Sequence, residues 1–100
     1  MAAIDWYTFS FLDNTPPGGF LPGQIRTWEH GENPGFSWSG KAVVVTAQPF
    51  DAAQQDRNLR VVSVDHQSLD IGVRRLRYSI QNLGPNAISI YNVFIGVIRQ

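Results

Sequence analysis

Proline and glycine interrupt this chain between most of its apolar runs, and this punctuation constrains the fold more than any other feature. The runs are rich in valine, isoleucine, threonine and aromatic residues, which favour strands. No segment shows a sustained apolar stripe at helical spacing. The length of 100 residues suits one core, and there is no cysteine. The sequence therefore predicts a single all-β domain over residues 1–100, an antiparallel β-sandwich of immunoglobulin-like or jelly-roll character with about six to eight strands.

Six segments have the composition of strands. They are residues 4–12, 24–28, 42–48, 59–65, 73–83 and 87–98, with loops predicted at 14–23 and 29–35. The run at 42–48 is almost continuously β-branched, which predicts a strand buried on both faces. The valines at 61, 62 and 64 do not alternate, which predicts a β-bulge. Residues 51–58 are the one stretch that could form a helical turn.

The C-terminal part of the chain carries a resemblance to a known class of domains. In residues 73–98 an alternating strand reaches Asn82, the turn Leu83-Gly84-Pro85-Asn86 follows, and an apolar strand returns, which predicts a hairpin. The order strand, Asn, Gly, strand in LRYSIQNLGPNAISIYNVFIGVI resembles that of small immunoglobulin-like bacterial adhesion and accessory modules. The resemblance implies an immunoglobulin-like sandwich and no activity.

The segment from Trp28 to Trp38 combines aromatic rings with carboxylate, imidazole and amide groups. Its candidate ligand-binding residues are Trp28, His30, Glu32, Asn33 and Trp38. A sugar ring offers apolar C–H faces and a rim of hydroxyls, so lectin sites pair an aromatic platform with polar groups. The sequence therefore predicts a non-enzymatic, lectin-like module with carbohydrate as its ligand. The alternative is that both tryptophans pack in the core while Glu29, His30 and Glu32 are solvated turn residues.

Motifs that would indicate catalysis or a bound metal are weak. Two groups could be offered as metal ligands: His30 with Glu29 and Glu32, and His66 with Asp65 and Asp70. Neither group has a fixed ligand spacing. The chain has no G-x-S-x-G elbow and no phosphate-binding loop of Walker spacing. We therefore predict no enzymatic activity, no metal and no cofactor.

The balance of charge argues against two classes of partner. Eight basic residues match eight acidic ones, so no strong field attracts nucleic acid. No window reaches the roughly 18 apolar residues of a membrane span, and residues 1–14 lack the basic start of a signal peptide. The compartment stays open.

Four arginines cluster on two consecutive predicted strands. They are Arg60, Arg74, Arg75 and Arg77, with Arg75 and Arg77 on one face. Guanidinium groups suit carboxylates, sulfates and phosphates, so the cluster could bind a small anion. The alternative is cross-strand pairing with Asp56, Asp65 or Asp70.

The two end strands are apolar on both faces. Tyr7, Phe9 and Phe11 oppose Ile4, Trp6 and Leu12 in the first strand, and Tyr91, Val93, Ile95 and Val97 oppose Phe94 and Ile98 in the last. A two-layer sandwich covers one face of each sheet, so the second face needs a partner. The sequence predicts a homo-oligomer formed through strands 4–12 and 87–98. The alternative to the oligomer is a monomer whose proline-rich loop folds Phe20 and Leu21 over that face. The alternative to the binding module is a structural self-assembling subunit without a small ligand.

Overall fold

The described residues form an all-β sandwich of six strands. The computed structural model describes residues 3–13, 18–50, 57–70 and 73–99. Its strands are β1 (Ala3–Leu12), β2 (Ile25–Gly31), β3 (Ala42–Pro49), β4 (Leu59–Asp70), β5 (Val73–Asn82) and β6 (Ile90–Arg99). The predicted fold class is confirmed. The helical turn predicted at 51–58 falls largely on 51–56, which lie outside the described residues.

Two three-stranded sheets pack against each other. One has the strand order β1-β6-β3 and the other β2-β5-β4, so β6 and β5 are the central strands. All pairings are antiparallel. In β5, Leu76, Tyr78 and Ile80 are fully buried, whereas Arg75 and Arg77 are exposed, as the alternation predicts. The described part of the chain contains no helix long and apolar enough to cross a membrane.

The core lies between the inward faces of β5 and β6. Its buried residues are Phe20, Phe36, Trp38, Leu76, Tyr78, Ile80, Ile88, Tyr91, Val93, Ile95 and Val97. The inward rings of β1, namely Tyr7, Phe9 and Phe11, pack against this cluster and extend it over β2. Burial of this much apolar surface is the main stabilising contribution to such a fold.

Three strand predictions need correction or extension. β2 continues through Gly31, because Glu29 forms an ion pair with Arg75 of β5 at 3.1 Å and the ring of His30 packs inside the sandwich. β3 is not buried on both faces, since its residues alternate and Val44 is 40% exposed. β4 has the predicted bulge, between Val61 and Ser63, and runs on to Asp70.

The predicted hairpin at 73–98 is wrong. β5 pairs with β2 and β4, whereas β6 pairs with β1 and β3. The connection through 83–89 therefore crosses from one sheet to the other. Both strands are central in their sheets, so each already has two neighbours and cannot pair with the other.

Asn82 fixes the start of this crossing. Its side chain is fully buried; its Nδ2 donates to the carbonyls of Phe20 and Asn86 at 2.9 Å each, and its Oδ1 accepts the N–H of Gly84 at 3.0 Å. The Asn and Gly of the predicted hairpin turn thus bind each other at a corner between the sheets.

The proline-rich loop does not cover the outer face of β1 and β6 with Phe20. This side chain is fully buried, its ring lies 5.7 Å from that of the inward-facing Tyr91, and its backbone exchanges two hydrogen bonds with Ile88. Phe20 therefore closes one end of the core, and Trp6 and Leu12 remain 56% and 65% exposed.

Candidate functional site

Trp28 points from β2 into the sandwich. Its ring stacks on that of Phe11 with centroids 4.4 Å apart, and its Nε1 donates to the hydroxyl of Tyr91 at 2.8 Å. Burial raises the pKa of Tyr91 to about 12, and the hydrogen bond from Trp28 opposes this shift. Both polar atoms are therefore satisfied inside the protein, as buried groups require.

His30 faces the same interior, one inward position further along β2. Its Nε2 lies 2.8 Å from the hydroxyl of Tyr78. Its ring packs against those of Phe9 and Tyr78, with ring centroids 4.5 Å and 5.4 Å away. Burial lowers the pKa of His30 and, with a smaller contribution from the charge of Tyr91, raises that of Tyr78. A neutral imidazole bonded to a neutral phenol follows from these shifts.

Glu32 organises the loop that follows β2. Its carboxylate accepts hydrogen bonds from the backbone N–H groups of Trp38 and Ser39 and from the hydroxyls of Ser37 and Ser39, at 2.7 to 2.9 Å. These bonds lower the pKa of Glu32 to about 2, and the bond from the Ser39 hydroxyl has the largest effect. The carboxylate thus holds the turn that leads into β3.

Glu32 is expected to titrate near pH 2, well below its ordinary 4.5. Because the folded pKa lies below the unfolded one, the stability that Glu32 contributes is complete above about pH 4.5 and is lost as the pH falls toward 2. A carboxyl-carbon NMR titration measures this pKa directly. Ser39→Ala should raise it, and a wild-type midpoint near 4.5 would contradict the hydrogen-bond arrangement.

Asn33 and Trp38 complete the predicted set. Asn33 is exposed at the loop tip, where its Oδ1 accepts the N–H of Gly35 at 2.9 Å. Trp38 is only 3% exposed and meets the ring of Phe36 edge-on at 4.9 Å. The structure therefore places the rings of Trp28, His30 and Trp38 inside the sandwich, and the assignment of these residues as ligand contacts stays a prediction. Among the described residues, no three His, Asp or Glu side chains are grouped so that they could hold a metal ion.

A different surface carries four of the nine large hydrophobic side chains that are exposed among the described residues, namely Ile4, Trp6, Leu12 and Val44, and we call it the outer face. It consists of the outward residues of β1, β6 and β3, which the strand registers align in rows. The rows are Ile4–Ile98–Ala42, Trp6–Gly96–Val44, Thr8–Phe94–Thr46 and Ser10–Asn92–Gln48, followed by Leu12 beside Ile90. None of these described positions is charged. Interface cores are depleted of charge and enriched in aromatic side chains in the same way.

Trp6 lies across the central strand of this face. A Cβ at residue 96 would sit 2.9 Å from both the Trp6 ring and a methyl group of Val44, so Gly96 makes room for the indole. Beside the ring, Thr46, Gln48 and Phe94 line an open depression of about 280 Å³ together with Trp6. The depression offers aromatic faces with a hydroxyl and an amide at its edge.

The opposite surface of the molecule has a different character. The outward rows of β2, β5 and β4 contain Glu29–Arg77–Asp65 and Gly31–Arg75–Gln67. The carboxylate oxygens of Glu29 lie 3.1 Å from Nη1 of Arg75 and 3.8 Å from Nε of Arg77. Cross-strand pairing therefore accounts for two of the four clustered arginines, with Glu29 as the partner in place of the aspartates that the sequence suggested. This face also exposes Ile25 of β2 at 52%, but it differs from the outer face in carrying charged residues across all three strands.

The sequence predicts β1 and β6 as strands with an uncovered apolar face, but it predicts β3 as a strand buried on both faces, which the structure does not show. The β-branched run of β3 suggested burial on both sides, and this concealed Val44, Thr46 and Gln48 as surface residues. The available signal was the alternation itself, since Ala42, Val44, Thr46 and Gln48 stand two residues apart and carry no charge.

The fold and this surface define an antiparallel, two-sheet β-sandwich with one charged face and one uncharged face. Comparisons with protein-family models, with curated proteins and with solved structures found no match to the chain.

Proposed function

We propose that this protein is a non-enzymatic binding module that self-associates through its outer face. The observation that carries the proposal is the absence of charge from every described outward position of β1, β6 and β3, next to exposed Trp6, Leu12 and Val44. Apolar surface of this extent in water favours association, because its burial is the main driving force for protein contacts. The strands involved include the 4–12 and 87–98 segments that the sequence indicated.

The size of the outer face suits a second copy of the chain. β1 and β6 have ten residues each, and a strand rises about 3.3 Å per residue. With three strands spaced about 4.8 Å apart, the sheet covers a flat area of about 450 Å². Protruding side chains increase the accessible area, so two such faces would bury about 1,000 Å² or more, the lower range of specific interfaces.

A two-fold axis along the face makes the contact self-complementary. If this axis lies in the plane of the interface and runs along the row Thr8–Phe94–Thr46, it brings the two copies of Phe94 together at the centre. Since neither copy presents a charge on this surface, the approach involves no like-charge repulsion and no burial of an unpaired ion.

Carbohydrate binding is the second candidate function. The depression beside Trp6 supports it, because an exposed indole next to Gln48, Thr46 and Phe94 provides the stacking platform and polar rim that sugar rings require. The ring of Trp6 is 56% exposed whereas that of Trp38 is 3% exposed. A glycan and a second copy would compete for the same surface.

Trp6→Glu is expected to convert the wild-type dimer of 11.2 kDa chains into a monomer. A carboxylate on the outer face would have to be buried without a partner in the dimer. The free energy that this burial costs exceeds the free energy gained from the contact. Light scattering coupled to size exclusion at tens of micromolar measures the mass. The matched control is Thr27→Glu, which places the same charge at an exposed position of β2, an edge strand of the other sheet.

The control should remain a dimer. A wild-type protein that is monomeric at this concentration, or a Trp6→Glu protein that keeps its mass, would refute self-association through this face. A monomer that binds glycans on an array, and loses that binding in Trp6→Ala, would instead support the second candidate.

A further inference from the structure

A cleft opens between the two sheets at the end where β3 begins. Its volume is about 170 Å³. It is lined by the turn before β3, by the end of β4 and by the start of β5, through Trp38, Ser39, Gly40, Lys41, His66, Gln67, Ser68 and Arg74. It lies away from the described depression beside Trp6, and nothing in the proposed self-association uses it.

The inward-facing positions at this end are polar where a sandwich normally places apolar residues. His66 lies opposite the buried Leu76, and Ser68 lies opposite Arg74. Along β5 the inward series Ile80, Tyr78, Leu76 therefore ends in an arginine. Arg74 lines the cleft and, like Lys41, is exposed, so water solvates its charge and an anion can replace that water.

The two cations of the cleft have no anionic partner among the residues that the structure describes. The ion pairs among the described residues use Arg26, Arg75, Arg77 and Arg99, and neither Lys41 nor Arg74 takes part in one. None of the described residues that line the cleft carries a carboxylate. The carboxylate of Glu32 contacts Ser39 of the lining and is already held by four donor groups.

We infer that this cleft binds a small oxyanion. The guanidinium of Arg74 presents a planar fork that matches two oxygens of a carboxylate, sulfate or phosphate, and Lys41 supplies a second positive charge. The hydroxyl of Ser68 and the amide of Gln67 are further donors at the wall. The volume admits one such group together with a few waters.

A phosphate titration followed by amide NMR tests this site. Sodium phosphate at pH 7, compared with sodium chloride at equal ionic strength, is expected to shift the amides of Gln67, Ser68 and Arg74 saturably in the millimolar range. Arg74→Gln and Lys41→Gln should each weaken the affinity at least tenfold. A second titration with acetate shows whether a planar carboxylate binds as well as a tetrahedral anion.

Arg60→Gln is the matched control. Arg60 also takes part in no ion pair among the described residues and lies on β4 opposite Gln81, on the outward side of that sheet, so its loss changes the net charge equally without touching the cleft. Unchanged affinity in this control, with loss in the other two variants, supports the site. Equal weakening in all three variants, or chloride shifts as large as those of phosphate, would overturn it.

Discussion

Replacing Asn82 by alanine is expected to lower the free energy of unfolding by about 2 to 4 kcal/mol, because it leaves buried polar groups without partners. The N–H of Gly84 and the carbonyl of Asn86 each lose a hydrogen bond. The carbonyl of Phe20 also loses one, but it keeps the N–H of Ile88 as a donor at 3.0 Å. The effect therefore comes mainly from two orphaned groups at the corner between the sheets.

Urea unfolding followed by fluorescence measures this change. Thr27→Ala is the matched control, since Thr27 is exposed on the other sheet, away from the outer face, and its hydroxyl makes one hydrogen bond, with that of Ser79 at 2.9 Å. Water can replace that bond, so the control should change stability by less than about 1 kcal/mol. Equal effects of the two substitutions would contradict the role assigned to Asn82.

Much of the fold could be predicted from residue patterns. The alternation in β5 separates Leu76, Tyr78 and Ile80 from Arg75 and Arg77, because a strand places successive side chains on opposite faces. The pairing of strands was not predictable in the same way. An Asn followed by Gly two residues later suits a hairpin turn, and whether Asn82 closes a hairpin or a crossing depends on Phe20, which is distant in sequence.

The candidate site was harder to predict, because strands with two apolar faces do not reveal which face is buried. The three tryptophans illustrate this. Trp28 and Trp38 stand among polar residues that suggested a surface, yet they pack inside, and Trp6 stands among aromatic residues and is exposed. Tertiary packing, which local patterns do not encode, decides between such alternatives.

Trp38→Ala is expected to lower the free energy of unfolding by about 3 to 5 kcal/mol, the usual cost of removing a large aromatic side chain from a core. Trp38 is 3% exposed and meets Phe36 edge-on, and the loop held by Glu32 leaves little freedom for collapse around the cavity. Loss of ligand binding in this variant would therefore report unfolding as readily as loss of a contact.

Trp6→Ala provides the matched comparison at an exposed tryptophan. Measured at sub-micromolar concentration, to keep the chain monomeric, it should lower stability clearly less than Trp38→Ala does, because 56% of Trp6 is already exposed. At higher concentration the wild-type protein gains stability from association, because a second copy binds the folded chain and not the unfolded one. The unfolding midpoints of wild type and Trp38→Ala should then rise with protein concentration, whereas that of Trp6→Ala should stay constant. A parallel rise in all three proteins would place the contact between copies elsewhere than on the outer face.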